Sequence, residues 1–221
     1  MSVAASILAA AIATGAQAVT TVDVQFTGVG YGSAVNVISP GITGGVFAGN
    51  ILISATNSSN TGEFQNGNYS VFCCDLYQWA SGNVNPYFVV PIQFIPTSAP
   101  MGPGAAAAIH DMYAFANGAQ YTSNDWATAF QLSIWEVVSD WGGPMDFNNG
   151  AFQANGFNGT VAAITNALFA SIGSGGQANL IGVANEAYQD YIVENAGPVP
   201  SPGALALVGL SGLIGSRRRR A

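Results

Sequence analysis

At Pro103 the spacing of apolar residues changes from the two-residue period of strands to the three-to-four-residue period of helices. That change points the chain to an α+β fold. Before it, Thr21-Val22-Asp23-Val24-Gln25-Phe26 alternates polar and apolar side chains, as a half-buried strand does. Val35–Ile38, Ile51–Ser54, Tyr69–Tyr77 and Tyr87–Phe94 are further β-rich segments, separated by Gly/Asn/Ser clusters such as Asn57–Gly67. The pairs Gly44-Gly45 and Gly142-Gly143 read as turns. After Pro103, Gly104–Asn117 predicts an Ala-rich helix ending near Gly118. Ser123-Asn124-Asp125 caps a second helix running to about Trp141, and Thr160–Ile172 and Gln177–Glu194 predict two more. The expected architecture is an N-terminal sandwich or barrel-like sheet followed by a cluster of helices.

Charge is placed very unevenly. The four basic residues are Arg217, Arg218, Arg219 and Arg220, there is no lysine, and all eleven acids lie between Asp23 and Glu194. A nucleic-acid partner is excluded, because the body of the chain has nothing to neutralise phosphates. No D-x-D-x-D-G calcium loop, metal-ligand spacing, Gly-x-Ser-x-Gly elbow or phosphate loop is present, so no metal or cofactor is expected. Nor is there a convincing acid/base pair for a turnover enzyme.

Both ends read as processing signals. Val3–Thr14 is an apolar run followed by Ala16-Gln17-Ala18, an A-x-A site that implies cleavage between Ala18 and Val19. No Lys or Arg precedes this run. The expected organisation is a signal peptide at 1–18, an ectodomain at 19–196 and a tail at 197–221. In the tail, Pro200-Ser201-Pro202 leads into the apolar stretch Gly203–Gly215 and then the arginines. As a helix that stretch spans only ~20 Å, against a hydrocarbon core of ~30 Å. It is expected to be a short transmembrane helix, marginal as an anchor on its own, with the arginines holding its end in the cytoplasm. Pro-x-Pro, a short apolar helix and a terminal arginine run resemble the PEP-CTERM sorting signal of Gram-negative bacteria, with Ser201 where that family usually has Glu. The resemblance implies export, transient anchoring in the inner membrane, processing by an exosortase, and a final place at the cell surface or in an extracellular biofilm matrix.

The only cysteines are neighbours, in Phe72-Cys73-Cys74-Asp75. Adjacent strand residues point to opposite faces, so a Cys73–Cys74 bridge requires strained geometry and closes no useful loop. Downstream, Gln131 falls inside the apolar stripe of the helix Asp125–Trp141, among Trp126, Phe130 and Trp135. A buried amide without partners costs about 1–3 kcal/mol, so something must satisfy Gln131 or consume it. A cysteine thiolate does the latter by attacking the side-chain carbonyl and expelling ammonia, which leaves an internal thioester. That reaction needs proximity, proton handling and exclusion of water. Trp126, Phe130 and Trp135 are the candidate wall, and Asp75 and His110 the candidate proton carriers.

Phe72-Cys73-Cys74-Asp75 followed by Gln131-Leu132-Ser133-Ile134-Trp135 resembles the thioester domains of bacterial surface adhesins, with Ser133 in place of the usual Ala. The resemblance covers roughly Tyr69–Trp141. It implies a bond between Cys73 and Gln131, with Cys74 as the alternative to Cys73, that captures an amine on a target surface in a single turnover. A chain without lysine offers no side-chain amine of its own to quench such a bond, although acidic, Gly/Ala-rich composition alone also leaves lysine out. The competing reading makes the cysteines inert core residues, Gln131 an amide held by backbone, and the protein a non-covalent partner of matrix polysaccharide.

Overall fold

The computed structural model describes residues 19–195. The signal at 1–18 and the tail from 196, with Pro200, Ser201, Pro202 and the arginines, lie outside the described residues.

Alternation in the first segment runs further than the short motifs suggest. Strand β1 spans Thr21–Ser39, with Val22, Val24, Val35 and Val37 buried between more exposed neighbours. It turns through Pro40-Gly41, where Gly41 has φ +86°, into the antiparallel β2, Ile42–Thr56, with Ser39 opposite Ile42. Pro followed by a residue with positive φ is the signature of a type II turn, so the reversal uses Gly41. Gly44 and Gly45 lie within β2, opposite Val37 and Asn36, and not in a turn.

Strands β3 (Gly67–Cys73) and β4 (Asn85–Val90) follow, and a single 3-10 turn at Ile92–Phe94 ends the first half. Two more strands, β6 (Leu180–Ala184) and β7 (Tyr191–Glu194), occupy the segment predicted to be the fourth helix. The short β5, Gln153–Asn155, pairs with the distal half of β1. Leu-Ile-Gly-Val-Ala and Tyr-Ile-Val are buried runs of strand-forming residues, and the Asn185 side chain accepts N–H groups from Ala187 and Tyr188 to turn the chain between them.

Every pairing is antiparallel, and the order is β2-β3-β7-β6-β4-β1-β5 with β1 also paired to β2. The first six strands therefore form a closed ladder. The last described strands sit in its middle, so the helices are an insertion between β4 and β6 and not a separate terminal cluster.

Three α-helices lie among the described residues. Helix α1, Gly102–Ala116, begins with Pro103 in its first turn and ends at Asn117 in the left-handed conformation. Helix α2, Asn124–Asp140, is capped by Ser123, whose hydroxyl accepts the N–H of Trp126 at 3.2 Å. Helix α3, Gly159–Ala170, is capped likewise by Asn158.

Helix α2 is more than amphipathic: all eleven residues from Ala127 to Val137 are buried. It packs against β1, β2 and α3. Burial of Leu132, Ile134 and Val137 contributes about 1.5–3 kcal/mol each. The polar members of this stretch each find a partner: Thr128 donates to the Ala48 carbonyl and Ser133 to the Ala129 carbonyl. Trp141, expected to extend the buried stripe, lies just past the last turn and is 45% exposed.

Candidate functional site

The buried end of β3 faces the middle of α2. Val71, Phe72 and Cys73 form an apolar strand end, and the chain then breaks at Asp75, whose carboxylate accepts the Tyr77 N–H at 2.7 Å. Gln131 projects from α2 onto this strand end. Its Oε1 accepts the main-chain N–H of Cys73 at 3.1 Å, and its Nε2 donates to the Cys73 carbonyl at 2.7 Å. One side-chain amide thus closes a two-bond ring on the residue that carries the sulfur. Both residues are buried, at 1% exposure each.

The Cys73 thiol is held by the chain that follows it. Its Sγ donates to the Asp75 main-chain carbonyl at 2.7 Å, and the Asp75 N–H points back to the sulfur at 3.2 Å. The Trp135 indole N–H lies beside the sulfur and favours its anionic form, but makes no hydrogen bond within the protein. Residues 131 and 135 are one helical turn apart, so the amide and the indole share a face of α2. Burial nonetheless pushes the Cys73 thiol far up, so it is protonated at neutral pH. Cys74 turns the other way. Its main-chain N–H donates to the Asp190 carbonyl, its Sγ lies 3.7 Å from the same oxygen, and burial raises its thiol as well. Both thiols are free.

The proposed wall divides. Phe130 stacks within 4.9 Å of Phe72 and 4.7 Å of Tyr113, which seals the α1 side. Trp135 covers the sulfur and packs on Phe152. Trp126 does not share the Gln131 face: five residues earlier, it is rotated about 140° around the helix and sits half-buried at the margin of the core.

The proton carriers are corrected more strongly. The carboxylate of Asp75 is turned away from the sulfur, toward Tyr77 and the Ser98 hydroxyl, and only its main chain touches Cys73. Burial raises its carboxyl above the usual range. His110 is on α1, where its Nδ1 meets the Ala178 carbonyl at 2.7 Å, and it bonds to none of Cys73, Cys74 or Gln131.

Two further buried acids border the site and were not anticipated. Asp190, fully buried, accepts main-chain N–H groups from Asn185 and Thr97 at 2.6 Å each, and burial pushes its carboxyl up to about 6. Its charge opposes ionisation of both thiols. Glu136, next to Trp135, is fully buried, and burial with the neighbouring Asp140 carboxylate pushes it up to about 8. The signal for Asp190 was an acid directly ahead of the apolar run Tyr191-Ile192-Val193. For Glu136 it was an acid within an otherwise apolar helix centre.

A pocket of about 210 Å³ opens beside the pair, with Cys74, Asp75, Tyr77, Ser98, Trp135 and Ser139 among its lining residues. It provides space for a small substituent beside Trp135 without exposing the sulfur. No helix among the described residues is long and apolar enough to cross a membrane. In comparisons with known proteins, no family model, no curated protein and no solved structure matches the chain.

Proposed function

We propose that this chain is an exported surface protein whose ectodomain carries an internal thioester between Cys73 and Gln131 and uses it to capture an amine covalently. The observation that carries the reading is the docking of the Gln131 amide on the main chain of Cys73. The N–H on Oε1 polarises the carbonyl and remains in place to stabilise the negative charge of a tetrahedral adduct. The carbonyl on Nε2 orients the leaving nitrogen. The sulfur belongs to the same residue, so its approach to the amide carbon is intramolecular.

In the first step the Cys73 Sγ–H bond is given up, Sγ bonds to Cδ of Gln131, and the Cδ–Nε2 bond breaks. The thiol proton leaves with nitrogen as ammonia. The Asp75 and Trp135 N–H groups favour the thiolate that the step requires. In the second step a primary amine attacks Cδ, forms an amide and returns Sγ to a thiol with the proton the amine gives up. The overall exchange is one amine for one ammonia, without oxidant or cofactor, and the enclosure by Phe72, Phe130 and Trp135 protects the acyl group from hydrolysis.

Cys74 fits the role less well, because its sulfur faces Asp190. The terminal motifs support delivery to the cell surface or matrix by export machinery and exosortase. The alternative, an inert amide-to-backbone contact in a non-covalent matrix protein, differs in one measurable respect. Incubation of the purified chain with biotin-cadaverine should label Gln131 in the wild type and in Cys74→Ala. Cys73→Ala and Gln131→Glu should stay unlabelled. A folded wild type that takes up no label contradicts the proposal.

A further inference from the structure

Strands β3 and β7 pair at only two positions, Phe72 with Ile192 and Cys73 with Tyr191. Beyond these they diverge, and the closed ladder opens into a cleft of about 610 Å³ under the C-terminal end of α1. Its volume falls in the range of small-molecule sites, ~300–1,000 Å³. Asn68, Tyr69, Tyr113, Tyr121, Gln177 and Glu194 are among its lining residues.

The chemistry of this lining is selective. No lysine or arginine lies between residues 19 and 195, so a phosphate or carboxylate ligand finds no fixed positive charge to pair with. Side-chain amides supply donors and acceptors together, which an apolar ligand cannot use. Asn179 and Asn195 brace one wall: Asn179 Nδ2 donates to the Asn195 carbonyl at 2.6 Å and Asn195 Nδ2 to the Glu63 carbonyl at 3.1 Å.

At the inner end the hydroxyls of Tyr113 and Tyr121 lie close to each other and to Glu194, and both are shielded from solvent. Tyr113 is 1% exposed and closes the inner end of the cleft. Glu194 accepts from Gln120 Nε2 at 3.4 Å, and burial raises its carboxyl. The rings of Tyr69 and Tyr121 add apolar surface for the C–H face of a flat ring.

We infer that the cleft between β3 and β7 is a binding site for a neutral saccharide of one or two pyranose units, held by side-chain amide hydrogen bonds and by packing on tyrosine rings. It is separate from the Cys73–Gln131 pair and does not rest on the thioester.

The test is a saturation-transfer and titration measurement on the purified full chain with cellobiose, maltose, lactose and N,N′-diacetylchitobiose. At least one disaccharide should bind with Kd on the order of millimolar or tighter. Asn68 and Gln177 are exposed, and neither side chain ties elements together, so the double variant Asn68→Ala/Gln177→Ala should fold normally and bind about tenfold more weakly. Tyr69→Ala, which removes a ring from the cleft wall, should weaken binding comparably, whereas Cys73→Ala should bind as the wild type does, whatever the result of amine labelling. Absence of binding across the panel, or binding unchanged in both cleft variants, overturns the inference.

Discussion

Glu136 makes the stability of this protein depend on pH in an unusual direction. The carboxyl is fully buried, one oxygen accepts the Asp146 N–H at 3.0 Å, and the other has no partner. Burial is the main reason its pKa rises from an ordinary 4.5 to about 8, with the charges of Asp140 and then Asp146 adding to it. Because the folded pKa is the higher one, the native state binds more protons than the unfolded chain throughout this window. Stability from this group is complete below pH 4.5 and is lost as pH rises through about 8. Each pH unit costs up to about 1.4 kcal/mol, and the whole window about 4–5 kcal/mol as an upper bound. For a domain of this size that is a fall in Tm of about 3–5 °C per pH unit. Asp190 acts with the same sign, between its ordinary 3.8 and about 6. Thermal melts at pH 5, 6, 7 and 8 and constant ionic strength should show Tm falling steadily. Glu136→Gln, which keeps the shape and an acceptor for Asp146 without the ionisation, should flatten the curve between pH 6 and 8. A wild-type Tm that is flat or rising over this range, or a Glu136→Gln slope equal to the wild type's, refutes the argument.

Other variants probe the site's frame. Asp190→Ala strips the acceptor from the Thr97 and Asn185 N–H groups, and urea titration should show a loss of about 2–4 kcal/mol; an unchanged midpoint contradicts this. Trp135→Phe keeps the packing but removes the N–H beside the sulfur, and should slow thioester formation by about tenfold or more, followed as ammonia release during refolding. Equal rates would remove the indole from the account. Cys74 is buried with a raised pKa, so iodoacetamide at pH 8 should label it only after denaturation; rapid labelling of the folded chain would contradict its placement.

Much of the local structure could be read from the residues. The Ser123 cap, the Pro103 start of α1 and the alternation in β1 are short-range signals, and each element begins where its signal lies. Gln177–Glu194 was misread because its apolar residues fit either period over such short runs. What decided was tertiary: β6 and β7 close the ladder between β3 and β4. That Gln131 needs a partner is legible from a polar side chain at a buried helical position, whereas Cys73 as that partner follows only from the resemblance to thioester domains. The form of the contact is not legible, since a main-chain N–H and carbonyl serving as the partners leave no trace in residue identity. Trp126 was misplaced by treating the aromatic stripe as one face, although five residues of helix carry it well round the axis. Residue type marks His110 and the Asp75 carboxylate as proton carriers, but their directions depend on Ala178, Tyr77 and Ser98, which lie on other segments or beyond the strand end.

The central claim is that Gln131 loses its nitrogen to the Cys73 sulfur, and intact mass spectrometry of the purified protein under non-reducing, amine-free conditions measures it directly. The account predicts a mass one ammonia below that of the processed chain, absent in Cys73→Ala, present in Cys74→Ala, and replaced by a methylamide adduct after exposure to methylamine. A wild-type protein of full processed mass that methylamine leaves unchanged would show that the amide only rests against the strand.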